Sequence, residues 1–210
     1  MITDMFGLLQ SRWDFFLNLL LEHLQISVMS IVIAMLIGLM IGIAISEFPK
    51  SSKIVAGIIN FIYTIPSISL LGFLIPLSGI GNATAMIALT VYALLPMVRN
   101  TYAGLTNVNP LLIEAAAGMG STRSQILVKI KLPLALPIII AGIRNMAVMT
   151  IALAGIASFI GAGGLGVAIY RGITTNNKAM TMVGSLLIAI LAIIVDFIIG
   201  IAERATKKHT

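Results

Sequence analysis

The chain has 210 residues, is 59% hydrophobic and only 10% charged, and has a mean hydropathy of +1.10. A soluble domain carries about 25% charged residues, so a water-soluble globular fold is excluded. The net charge of +6 sits at the edges of apolar runs, which points to membrane topology and away from nucleic acid, and the absence of cysteine excludes disulfide and thiol chemistry.

Apolar runs long enough to cross a hydrocarbon core of ~30 Å recur along the chain. The expected fold is therefore all-α, a polytopic membrane protein with about five transmembrane helices. The first ten residues contain Asp4 and no basic cluster, so no cleavable signal peptide is expected. Residues 11–23 mix aromatic, aliphatic and charged side chains. They read either as an interfacial amphipathic helix, with Trp13 and Phe16 near the headgroups, or as a frayed lead-in to the first span. Residues 1–23 thus form an outer-side lead-in.

The first span is expected over 24–45, where Gly38 and Gly42 would let another helix approach closely. A polar turn from Glu47 to Lys53 leads to a second span, 54–75, broken at Pro66 within Tyr63-Thr64-Ile65-Pro66-Ser67. Proline in a span frees a backbone carbonyl, so this bend either lines a pathway or packs against a neighbour. A short third span, 83–98, is expected to end near Pro96 with Arg99 and Asn100 at its exit.

The stretch from Asn109 to Pro133 is the longest polar-enriched interval between hydrophobic blocks. Asn109 can cap a helix that opens with Pro110, and Gly118 and Gly120 interrupt that helix after Glu114 and three alanines. Thr122 and Gln125 have capping-box spacing for a second helix, Arg123 to Lys131, which Pro133 ends or bends. Two short helices hinged at glycine suggest a docking surface.

A fourth span follows over 137–159, then Gly161-Ala162-Gly163-Gly164-Leu165-Gly166, read as a re-entrant or tightly packed loop whose glycines allow close backbone approach. The fifth span is 179–201, the spanning domain is 24–202, and a basic tail occupies 203–210. With the N-terminus outside, the inner segments hold Lys50, Lys53, Arg99, Arg123, Lys129, Lys131, Arg204, Lys207 and Lys208, against Arg12, Arg171 and Lys178 outside. That bias places Asn109–Pro133 and the C-terminus in the cytoplasm.

Enzyme readings find little support. His23 and His209 are the only histidines, no metal-ligand cluster and no catalytic residue is expected, and no Walker sequence is present, so any ATP is hydrolysed by a partner. Arg144 and Asp196 lie within spans, each ~10 Å deep from the cytoplasmic side at ~1.5 Å per residue. Such charges face the bundle interior and pair, so a structural ion pair is expected, with snorkelling of Arg144 as the alternative.

Glu114-Ala115-Ala116, Gly120, and Ile130-Lys131-Leu132-Pro133 match the EAA signature of ABC-importer permeases without a departure. The stretches 63–67, 74–81, 92–102 and 132–137 and the glycine loop resemble the permeases of osmoprotectant importers, which carry glycine betaine, carnitine or choline. Methionine-importer permeases share the five-span plan, the signature and the glycine loop, so another amine or an amino acid remains an alternative cargo. The resemblance implies that Glu114, Ala115, Ala116, Gly120, Ile130, Leu132 and Pro133 seat in a groove of an ATP-binding subunit, Glu114 making a polar contact and Gly120 the bend. It implies two ATP-binding subunits carrying ATP and magnesium, a second permease chain, same or paralogous, and a separate extracellular substrate-binding protein, in a bacterial cytoplasmic membrane. This chain itself is expected to bind no cofactor. Tyr63, Tyr92 and Tyr102, with Pro66 and Ser67, are candidates for the translocation pathway, because a quaternary ammonium is attracted to aromatic faces. An ion-coupled secondary transporter is the competing class; it would want further intramembrane acids and an inverted repeat.

Overall fold

The computed structural model describes residues 2–207. Lys208 and His209, part of the expected basic tail, lie outside the described residues. Helix α1 (Ile2–Ser11) is followed after a turn at Arg12 by α2 (Trp13–Glu47), a continuous helix of 35 residues. Residues 13–23 and the span expected from 24 are thus parts of one helix. No glycine or proline interrupts the helix before Gly38, and Phe16, Leu19, His23, Ile26 and Ser30 recur at helical spacing on one buried stripe. Phe16 is consequently a core residue, 2% exposed, rather than a headgroup anchor, whereas Trp13 is exposed. Met5, Leu8 and Leu9 of α1 pack onto the same core cluster as Phe16 and Val183.

Helices α3 (Pro49–Thr64) and α4 (Ser67–Ser78) meet at a bend of 96° across Ile65 and Pro66. Then α5 (Asn82–Thr106) runs straight through Pro96, so the third span is longer than expected, and Arg99 and Asn100 lie within it. One proline costs a single ladder bond, the one to the Tyr92 carbonyl, and α5 continues without a break. The α2–α5 contact uses both expected glycines. A Cβ on Gly38 would stand 2.7 Å from Met97 Cγ, and one on Gly42 2.5 Å from Thr101 Cβ.

After α6 (Pro110–Gly118) and α7 (Arg123–Ile126), a π-turn (Leu127–Lys131) leads without a break into α8 (Leu132–Ile156) and a 3₁₀ turn (Ala157–Ile160). The expected helix Arg123–Lys131 is therefore not separated from the fourth span, and Pro133 does not end it. In a regular ladder Pro133 would lack the N–H for the Lys129 carbonyl and press its ring on that group. The wider turn, in which Leu132 N–H reaches Leu127 O, absorbs the misfit. Helices α9 (Gly166–Thr174) and α10 (Lys178–Lys207) complete the chain.

Among the described residues four helices are long and apolar enough to cross a membrane, or five if α3–α4 is one broken span. Contacts at the two ends of the bundle decide between these. Glu47, at the end of α2, pairs with Lys131 beside α7, whereas Asn82, at the start of α5, bonds Glu22. Glu22 and Glu47 are ~37 Å apart at ~1.5 Å rise per residue. The α3–α4 pair must carry the chain over that distance, so it crosses the bundle despite its bend.

Candidate functional site

The polar stretch folds as its capping residues dictate. The Asn109 side chain accepts from Leu111 N–H at 3.0 Å, and Pro110 fills the first helical position. Thr122 and Gln125 make the reciprocal capping box, Gln125 N–H to Thr122 Oγ1 at 3.3 Å and Thr122 N–H to Gln125 Oε1 at 2.8 Å. Between the two helices Gly120 takes φ +84°, a left-handed conformation that reverses the chain. Glu114, Ala115, Gly120 and Pro133 are exposed, Ile130 and Leu132 half-buried, and Ala116 buried. Leu111, Met119 and Val128 are also exposed, at 68%, 81% and 60%, which makes this a partly apolar, exposed ridge of the kind that marks an interaction site.

The bend at Pro66 is held by the aromatic residues expected along the pathway. Tyr92 is buried and its hydroxyl donates to the Ile65 carbonyl beside the bend; its ring meets Tyr63 edge-on at 5.7 Å between centroids. Tyr63 O–H donates to Met149 Sδ at 3.3 Å. Tyr63, Arg99, Asn100, Asn145 and Met149 border a cleft of about 490 Å³. Tyr102 is not with that pair; it borders an adjoining cleft of about 340 Å³ with Lys53, Asn60 and Arg99. Pro66 is exposed at the bend, and Ser67 opens α4.

The structure brings Arg144 and Asp196 together. The guanidinium clasps the carboxylate through two bonds, Nε to Oδ1 and Nη2 to Oδ2, each 2.6 Å. Its third arm reaches Glu203 at 3.2 Å, and Gly200 lies beneath it, where a Cβ would come within 3.3 Å of Cζ. Glu203 escaped the sequence reading. Its spacing of seven residues from Asp196 puts both on one face of α10 and was the available signal.

A second polar assembly, also unforeseen, lies at the opposite end. Glu22 accepts from Gly164 N–H and Asn82 Nδ2, both at 3.1 Å, while Asn82 Oδ1 accepts from Gly163 N–H at 2.8 Å. A Cβ at Gly163 would fall on the Glu22 carboxylate, which is the close approach expected of the glycine loop. His23 is fully buried beside it, its Nε2 3.1 Å from the Ile151 carbonyl. Among the described residues no group of three or more His, Asp and Glu side chains is placed to hold a metal.

Residues 11–208 match the family described as the binding-protein-dependent transport system inner membrane component. The choline transport system permease protein OpuBB of Bacillus subtilis is 39% identical over 183 residues, covering 87% of this chain and 84% of that protein. The carnitine transport permease protein OpuCB of Listeria monocytogenes is 40% identical, covering 89% and 86%. Among solved structures, the MetNI methionine ABC transporter in an inward-facing conformation aligns at a TM-score of 0.86 with 27% identity, over 93% of this chain and 98% of that one. The expected fold stands: an all-helical ABC-permease architecture with the α3–α4 pair as its broken span. The chain is a multi-pass membrane protein and belongs to the binding-protein-dependent transport system inner membrane component family, the permease subunits of ABC importers.

Proposed function

We propose that this chain is the permease subunit of an importer for quaternary-ammonium osmoprotectants: glycine betaine, carnitine and choline. The observation that carries the reading is the exposed, doubly capped ridge Pro110–Ile126, bearing the signature residues Glu114, Ala115, Ala116 and Gly120, on a chain without a phosphate-binding sequence. Two ATP-binding subunits, holding ATP and magnesium, dock there, with Ile130, Leu132 and Pro133 supporting the ridge from behind. A second permease chain completes the pathway, and a substrate-binding protein delivers cargo to the opposite end. Lys50, Lys53, Arg123, Lys129 and Lys131 gather at the ridge end, which supports a cytoplasmic ridge and an outside N-terminus in a bacterial cytoplasmic membrane.

ATP binding closes the partner subunits and moves α7. Arg123–Ile160 is one continuous helical run, so that movement passes to α8 as a tilt, across the π-turn at Leu127–Lys131. Alternating access then requires only that ATP binding favour one of two packed states. In the 490 Å³ cleft the Tyr63 ring offers a face to a quaternary ammonium and Arg99 a partner for a carboxylate. Arg144 and Asp196 act structurally, since each already has a bidentate partner. An engaged Asp196 also argues against ion coupling, which needs a free membrane acid.

The cargo assignment draws support from the choline and carnitine permeases, at 39% and 40% identity against 27% for the methionine system. The test is co-purification with the ATP-binding subunit, then ATPase stimulation by binding protein loaded with glycine betaine, carnitine, choline or methionine. Stimulation by the quaternary amines is expected. Stimulation by methionine alone transfers the cargo to the alternative, and uptake persisting without the ATP-binding subunit refutes the importer reading.

A further inference from the structure

Glu47 is the last residue of α2, where a carboxylate faces the negative end of the helix dipole. Lys131, the last residue of the π-turn, meets it with Nζ 2.7 Å from Oε1, across 84 residues of chain. The side chains are 29% and 18% exposed, and ion pairs that water reaches add little to stability. Their location is more informative. Lys131 lies where the π-turn gives way to Pro133 and α8, and α7 with the docking ridge lies just before it. Glu47 adjoins Phe48, the one non-helical residue between α2 and α3. Beyond that corner, α3 carries Lys53 and Asn60 along the 340 Å³ cleft and ends at the Pro66 bend.

We propose that the Glu47–Lys131 ion pair is a strut that makes the α2–α3 corner follow the docking ridge, so that ATP-driven movement reaches the broken span directly as well as through α8. Both residues are positioning residues: neither touches cargo or nucleotide. The proposal rests on the reading of Asn109–Pro133 as the ATPase-docking surface. A π-turn widens and loosens the ladder at the point where α7 must push α8. A lateral tie from that point to α2 passes the movement on before it is lost in the loosened turn.

The chain contains no cysteine, so Asn60→Cys places a single thiol in it, on the exposed face of the cleft. The complete transporter in lipid vesicles is treated with a maleimide with and without ATP, and labelling of this chain is scored. In the parent, ATP is expected to change the labelling rate several-fold. Glu47→Gln or Lys131→Gln should remove most of that change while the ATP-binding subunit still co-purifies and hydrolyses ATP. Lys131→Arg should keep the change, and the exchange Glu47→Lys with Lys131→Glu should restore it. A full ATP response in both single variants, an exchange no better than the singles, or a parent whose Asn60→Cys ignores ATP overturns the strut and leaves the docking reading intact. A parent that fails to retain the ATP-binding subunit overturns both.

Discussion

Gly120 and Gly118 form a matched pair for testing the docking ridge. An ideal Cβ at either position meets nothing within 4 Å, so a substitution to alanine adds no steric clash. They differ in backbone: Gly120 has φ +84°, whereas Gly118 closes α6. Alanine at 120 should cost about 1–2 kcal/mol, the penalty of a left-handed L-residue. Alanine at 118 should cost nothing and can gain up to about 1 kcal/mol of helix propensity. The turn at 120 sets α7 against α6 through Gly120 N–H to Ala117 O and Ser121 N–H to Ala116 O, both 3.0 Å. If that geometry is what the ATP-binding subunit receives, Gly120→Ala should weaken its binding by about 5–30-fold, the equivalent of the backbone penalty. Gly118→Ala should bind at least as well as the parent. The assay is titration of purified ATP-binding subunit against the permease in nanodiscs. Equal affinities for the two variants would refute the claim that a preformed turn is recognised.

Gly42→Ala should destabilise the α2–α5 contact by about 1–3 kcal/mol, the usual cost of overpacking, because its Cβ would lie 2.5 Å from Thr101 Cβ, whereas Gly57→Ala, with nothing within 4 Å, should not. Thermal unfolding in detergent compares them, and equal melting temperatures contradict the packing assignment. Arg144→Gln and Asp196→Asn should each lower the melting temperature. The exchange Arg144→Asp with Asp196→Arg should recover it only together with Glu203→Gln, because the carboxylate moved to position 144 would otherwise face Glu203. An exchange as unstable as the single variants in that background removes the pairing as the cause.

Much of the docking ridge was legible because its signals are local. A capping box, a proline at a helix start and a glycine at a chain reversal each act within four residues, and the backbone obeyed all of them. The α2–α5 glycines were equally legible, since small residues one turn apart mark a close approach wherever they find a partner. Helix boundaries were less legible. Pro96 is expected to end a helix and Pro133 to end or bend one, as prolines do in water. Inside a membrane the ladder is too costly to abandon, so α5 kept its helix around one lost bond, whereas at the ridge end of α8 a π-turn takes up the misfit of Pro133 and the helix continues. Residues 13–23 are the start of α2: Arg12 and Asp14 are exposed, Glu22 is half-buried against the glycine loop, and Phe16, Leu19 and His23 continue the buried stripe of the helix.

Composition and hydropathy alone determined that the chain is a bundle of membrane helices, because its apolar runs are continuous and long enough to span as helices, whereas barrel strands alternate apolar and polar residues. Spacing alone determined the two capped helices and their glycine joint. Tertiary structure decided what depends on distance: that Arg144 closes on Asp196 and also on Glu203, that Glu22 and Asn82 clamp the glycine loop, and that Glu47 reaches Lys131. It also decided that α3–α4 crosses the bundle rather than returning. These are contacts between charges or turns tens of residues apart, and a sequence records which groups need partners without recording which partner the packing brings within reach.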